Sequence, residues 1–189
     1  MEKKEYRDRD LCFDFYPKLS SEEEGWKWAG YLEKRLSLID PTIVTGTRRR
    51  GTIFGTAEVY TVEYFGKISH RKVWPWETIP GLSDLKTTIE SIVGETFTVC
   101  VIQYYRSGKI GINPHRDKEM KPGTKIAGLT FGQSRTLVLT SRYGDRRVVI
   151  PVTNCSLYVM NPPTNDWWTH SILKDDSKQA RVSLTFRNY

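Results

Sequence analysis

Two stretches of the chain carry helical periodicity, and much of the remainder alternates as strands do. Over residues 20–39, Trp28, Leu32, Leu36 and Ile39 fall at i, i+4, i+8 and i+11, one apolar stripe on a helix. Ser20 or Ser21 can cap it, with Glu23 or Glu24 three positions on, and Pro41 stops it. A second helix is predicted over about 82–93, with Leu82, Leu85, Ile89, Ile92 and Val93 inward and Gly94 suited to a left-handed C-terminal cap. Residues 52–65 are β-branched and aromatic and predict one or two strands. From Thr96 on, strands are predicted at 96–105, 125–131, 135–140, 146–150, 156–160, 168–172 and 181–187. Turns such as Pro122-Gly123, Tyr143-Gly144-Asp145 and Asn161-Pro162-Pro163 separate them. Strands at this spacing suggest a sandwich or jelly roll. With two helices and a sheet extension in the N-terminal half, the fold class is α+β.

Composition narrows the setting. At 189 residues the chain is expected to be one domain with its own core. Net charge is +7 and the aromatic share 12%, which makes a polyanionic partner plausible. The three cysteines, Cys12, Cys100 and Cys155, have no C-x-x-C spacing, and the last two sit in apolar runs as buried thiols. No signal-peptide pattern and no long apolar run occurs, so no membrane span is expected. An intracellular monomer is expected, with nucleus or cytoplasm left open.

Only three histidines occur, and two of them stand where an iron site needs them. His115 and Asp117 form an H-x-D pair, which extended backbone turns to one face, and His170 comes from a later strand. Two imidazoles and one carboxylate are the ligand set of a facial Fe(II) site with open positions. H-x-D alone is weak; the scarcity of histidine raises it. In the closing run, Arg181, Ser183, Thr185 and Arg187 alternate with Val182, Leu184 and Phe186. Arginines on an inward face need anions, and a guanidinium forks onto a carboxylate, so the pair can hold a dicarboxylic acid.

Four stretches, QYYRSGKIGINPHRDKE (103–119), PGTKIAGLTFG (122–132), NPPTNDWWTHS (161–171) and ARVSLTFR (180–187), resemble the AlkB family of Fe(II)/2-oxoglutarate-dependent nucleic-acid dealkylating dioxygenases. They are most similar to the eukaryotic DNA-repair members. The resemblance implies a double-stranded β-helix (jelly-roll) core over 96–189, with N-terminal helices and a nucleotide-recognition lid over 1–95. It implies Fe(II) on His115, Asp117 and His170, with O2 and 2-oxoglutarate as co-substrates. Arg181 would hold 2-oxoglutarate, with Arg187 near its metal-binding end and Tyr105, Gln103, Ser183 and Thr185 around it. Gln103 and Ser183 stand where asparagine is usual in the family. Glu119 falls where an acidic residue meets the flipped base.

In the lid, YTVEYFG (60–66) is similar to the strand whose aromatic stacks on that base, either Tyr64 or Phe65. TRRRG resembles a basic turn that would put Arg48, Arg49 and Arg50 on phosphates. The loop from Pro41 to Thr47 is shorter than the duplex-probing finger of such relatives, so single or double strands stay open. The implied activity is direct-reversal repair: oxidative demethylation of 1-methyladenine or 3-methylcytosine type bases in methylated DNA, releasing formaldehyde, succinate and CO2. RNA as substrate, or a catalytically weak nucleic-acid-binding module, are the alternatives. Trp74 and Trp76 are expected to pack the lid, and Trp167 and Trp168 to wall the metal site. Arg135, Arg142, Arg146 and Arg147 are expected as a basic strip beside it.

Overall fold

A computed structural model describes residues 1–39, 43–44, 50–64 and 67–189. Its elements in chain order are β1 (Lys4–Asp8), β2 (Leu11–Tyr16), α1 (Glu22–Leu36), β3 (Ile43–Val44), β4 (Arg50–Gly55), β5 (Val59–Tyr64), β6 (Lys67–Lys72), β7 (Trp74–Pro75), a 3-10 turn (Trp76–Thr78) and α2 (Leu82–Val93). Then follow β8 (Val99–Tyr105), β9 (Ile112–His115), β10 (Ile126–Gly132), β11 (Arg135–Ser141), β12 (Arg147–Val152), β13 (Leu157–Met160), the single helical turn α3 (Thr164–Trp167), β14 (Trp168–Ile172) and β15 (Arg181–Arg187).

Among the described residues, β1-β2-β13-β10-β15-β8-β4-β3 pair in that order as one sheet, with β7 parallel to β4. A second sheet runs β12-β11-β14-β9, and β5 and β6 form a separate hairpin. The two larger sheets pack face to face: Phe13, Ile126 and Met160 of the first share a buried cluster with Leu137, Ile150 and Trp168 of the second. The other face of the first sheet buries Val182, Leu184 and Phe186 with Leu32 of α1 and Leu82 and Ile89 of α2. β15 is therefore buried on both faces. Its polar residues, Arg181, Ser183, Thr185 and Arg187, turn into the space between the sheets. This is the jelly-roll arrangement the strand spacing suggested.

Helix α1 begins at its cap: Ser21 Oγ accepts from Glu24 N at 3.1 Å, and three glutamates occupy the positive first turn. It stops at Leu36, short of the predicted end. Its fully buried positions are Gly25, Ala29 and Leu32, while Trp28 and Leu36 are only half-buried. Helix α2 ends on Gly94 at φ +70°, whose N–H donates to Glu90 O, as predicted. All three cysteines are free, with Cys100 and Cys155 buried.

Several elements were not legible. β1 is a charged edge strand (KEYRD), largely exposed, so no apolar alternation marks it. β9 carries Pro114 and reads as a loop, yet proline is tolerated because β9 is the edge of its sheet. β10, which the sequence did predict, carries Gly128, where a Cβ would meet the Tyr158 ring at 2.1 Å; only glycine lets that ring lie across the sheet.

Arg135 is not part of a basic strip. Its side chain is 1% exposed. It donates to the carbonyls of Gly108 (3.1 Å), Ile110 (3.0 Å) and Leu173 (2.6 Å) and pairs with Asp175 at 2.9 Å, so it ties the loop before β9 to the end of β14. Arg135→Ala should therefore cost about 3–5 kcal/mol in urea unfolding, because it strands those buried acceptors. Burial pushes the Asp175 carboxyl up, but Ser177 and Arg135 outweigh this and hold it below the usual range. A depressed folded value stabilises at neutral pH and is lost as pH falls through it. Asp175→Asn should flatten that acid-side decline.

Candidate active site

The H-x-D pair lies at the end of β9, and His170 lies on β14, its hydrogen-bonded neighbour. His115 and His170 are cross-strand partners, their ring centroids 4.2 Å apart. His115 Nε2 is 3.7 Å from Asp117 Oδ1, and His170 Nε2 is 3.9 Å from Asp117 Oδ2. One ligand atom from each residue lies within 4.8 Å of the others. His115 Nδ1 is 2.8 Å from the Asn113 carbonyl. A carbonyl only accepts, so Nδ1 carries the proton and Nε2 turns its lone pair to the cluster. Burial pushes His170 down to about 3, against the pull of Asp117, so its ring is neutral and able to ligate. Burial pushes Asp117 up, but its neighbours, led by the Arg187 guanidinium, hold the carboxyl below the usual range.

Asp117 is positioned by two residues that sequence reasoning passed over or underused. Asn165 of α3 clasps its backbone, accepting from Asp117 N at 3.1 Å and donating to Asp117 O at 2.8 Å. Arg187 Nη2 stands 3.1 Å from Oδ2 as an ion pair. Oδ2 has no hydrogen-bond partner of proper geometry and so keeps lone pairs for a cation. These donors, two neutral nitrogens and a carboxylate on one face, fit Fe(II).

Beside the triad, Gln103, Tyr105, Arg181, Ser183, Thr185 and Arg187 line one cavity together with His115 and His170. Arg181 is 1% exposed. Its Nη2 donates to Thr130 Oγ1 at 3.0 Å, while Nε and Nη1 are buried without a hydrogen-bond partner. Burial lowers its affinity for the proton, against the phenols of Tyr105 and Tyr158. A buried guanidinium with open donors is costly until an anion meets it. Tyr105 donates to Gln103 Oε1 at 2.8 Å, so glutamine serves here as the phenol's acceptor. Tyr158 and Thr130 were missed: both sit in apolar strand runs, and only the sheet order β13-β10-β15 brings them to Arg181.

Glu119 does not line this cavity but stands near Arg187 and Tyr189. Its carbonyl accepts from the Tyr60 hydroxyl at 3.3 Å; Tyr60 stacks on Tyr189 with centroids 3.8 Å apart, and Tyr189 accepts from Arg187 at 3.3 Å. Tyr60 was missed; its even spacing from Tyr64 on one strand was the available signal. Arg48, Arg49 and Phe65 lie outside the described residues. Tyr64 closes β5 opposite Lys67, its side chain also outside them. Arg50 is exposed at the start of β4, paired with Tyr104, and lines none of this cavity.

Trp76 is buried in the core beneath the helices, and Trp74 packs partly against it. Of the tryptophan pair, Trp168 is 1% exposed within the inter-sheet core, whereas Trp167 is 37% exposed and walls nothing. Trp167 ends the α3 turn whereas Trp168 opens β14, which separates the two.

A family model of the 2OG-Fe(II) oxygenase superfamily matches residues 13–187. The human DNA oxidative demethylase ALKBH2 is 36% identical over 124 residues, covering 60% of this chain and 47% of its own. The chain thus spans about half the length of that relative. Uncharacterized protein R406 of Acanthamoeba polyphaga mimivirus is 28% identical over 192 residues, 99% of this chain and 95% of its own. The solved structure of OsALKBH1 superposes with a TM-score of 0.70 at 10% identity over 100% of both chains, a likeness of fold. Among the described residues, no helix is long and apolar enough to cross a membrane.

Proposed function

The chain belongs to the 2OG-Fe(II) oxygenase superfamily and, within it, to the AlkB family, and from that premise we propose that it oxidatively demethylates N-alkylated bases of the 1-methyladenine and 3-methylcytosine type in DNA. The observation that carries this reading is the cavity in which His115 and His170 of the triad meet a buried arginine whose Nε and Nη1 have no hydrogen-bond partner. Fe(II) with 2-oxoglutarate and O2 supplies the oxidation of the N-methyl carbon, with succinate and CO2 as co-products.

The chain's own groups bind and orient. His115 Nε2, His170 Nε2 and Asp117 would hold the iron. Arg181 would fork onto the distal carboxylate of 2-oxoglutarate, with Thr130 bracing the guanidinium and Tyr105, Ser183 and Thr185 offering polar contacts. Arg187 keeps Asp117 ionised and aimed. The burial of Asp117, His170 and Arg181 would keep bulk water from the oxidation. The hydroxylated methyl group then leaves the base nitrogen as formaldehyde. The target base must leave its stack, which costs less for an alkylated, pairing-deficient base. Glu119, near Arg187, is proposed to meet a cationic methylated base, and Tyr64 or Phe65 is the proposed stacking partner. The lid turn at Arg48, Arg49 and Arg50 is proposed to meet phosphates.

The test is a panel of defined methylated DNA, RNA and peptide substrates with Fe(II), ascorbate and 2-oxoglutarate. Formaldehyde in step with succinate is expected from methylated DNA. Preference for RNA would move the substrate; 2-oxoglutarate turnover with no formaldehyde from any nucleic acid would overturn the reading.

A further inference from the structure

The hairpin tip between β11 and β12 and the turn of α3 carry two large aromatics that no apolar cluster absorbs. Tyr143 is 55% exposed and Trp167 37% exposed. Their rings stack with centroids 5.8 Å apart and an interplanar angle of 11°. Arg9 stands over the outer face of Tyr143 at 4.6 Å, and Arg142 lies 5.6 Å from the Trp167 centroid. The array is built from the main chain outward: Arg142 N donates to Trp167 O at 2.8 Å. It is also tied to the metal centre. The Asp166 carbonyl accepts from Arg142 at 3.2 Å and from Arg116 at 2.8 Å, and Arg116 is the middle residue of the H-x-D pair.

We propose that Tyr143 and Trp167, flanked by Arg9, Arg142 and Arg116, form a platform for the unpaired bases of a single-stranded nucleic acid beside the target nucleotide. This rests on the reading that the substrate is a nucleic acid. Every base has a π-face, so aromatic stacking tolerates any sequence, and guanidinium planes extend the stack or turn to a phosphate. Duplex bases hide their faces in the helix; only a single strand can use the rings. Charge supports the assignment, though not uniformly. Arg146 is bound to Asp8 at 2.6 Å, and Asp145 lies 4.0 Å from Arg9. Arg142 and Arg116 both donate to the Asp166 carbonyl, and Arg147 is exposed on the adjoining strand.

The experiment measures binding of a short fluorescent oligothymidylate, single-stranded or annealed, to the full chain. Tyr143→Ala with Trp167→Ala should weaken single-strand binding roughly tenfold or more, the size of a lost base stack. Tyr143→Phe and Trp167→Phe should retain it, and a methylated mononucleotide, too small to reach the platform, should be processed equally by wild type and double variant. Equal single-strand affinity in the double alanine variant, no measurable wild-type binding, or a loss confined to duplex overturns the platform. If methylated oligonucleotides are turned over while the double variant binds as tightly as wild type, the platform falls and the demethylase reading stands. If oligothymidylate binding depends on the two rings but no methylated substrate releases formaldehyde, the reverse holds.

Discussion

Asp117→Ala should abolish iron binding and formaldehyde release together. Removing one of three ligands exceeds the loss of an outer hydrogen-bonding partner, which alone costs about 10- to 100-fold in affinity. The same substitution takes from the buried Arg187 its ion-pair partner, 3.1 Å away. Stranding a buried charge costs about 3–5 kcal/mol, so the metal-free variant should also melt earlier. Asp117→Asn keeps the shape but not the charge and should show the metal loss as well. Fe(II) titration by isothermal calorimetry and thermal unfolding without metal read the two effects separately. Wild-type iron affinity in Asp117→Ala would sink the metal assignment.

Arg181→Met should move in the opposite direction on stability. In the metal-free chain Arg181 is a buried charge whose Nε and Nη1 find no hydrogen-bond partner. Replacing such a group with an apolar one of similar length stabilises by about 1–4 kcal/mol. Co-substrate binding should suffer instead, because truncating one side of a buried charge pair costs about 2–5 kcal/mol, or at least roughly thirtyfold in affinity. The 2-oxoglutarate concentration for half-maximal turnover should rise accordingly, while oligonucleotide affinity stays unchanged. The thermal shift that 2-oxoglutarate gives wild type should vanish. A variant with unchanged 2-oxoglutarate dependence would contradict the role of Arg181.

These two arginines show where sequence reading reaches and where it stops. The alternation through β15 marked both as inward-facing on one strand. It did not distinguish an arginine already paired with a carboxylate from one with open donors. That depends on Asp117, 64 to 70 positions away in the chain, and on the sheet that brings it there. The tryptophans behave likewise: adjacent and identical, Trp168 is core and Trp167 is surface. Arg135 and Arg142 looked equivalent, yet one ties the loop before β9 to the end of β14 from within and the other lies exposed beside an aromatic ring.

What the sequence by itself determined is what local periodicity and scarcity can carry. Helix α2 with its glycine cap, the strands after Thr96 other than β9, the alternation of β15 and a triad that uses two of only three histidines were all legible. So was a family resemblance spread over half the chain. Tertiary structure alone decided the rest. It paired His115 with His170, clasped Asp117 with Asn165, set Thr130 and Tyr158 against Arg181, and brought Tyr60 to Glu119 and Tyr189. The physical reason is that a strand's side chains choose a face every two residues, but its partners are chosen by register across the sheet. Register depends on packing between segments far apart in sequence, and no local pattern records it.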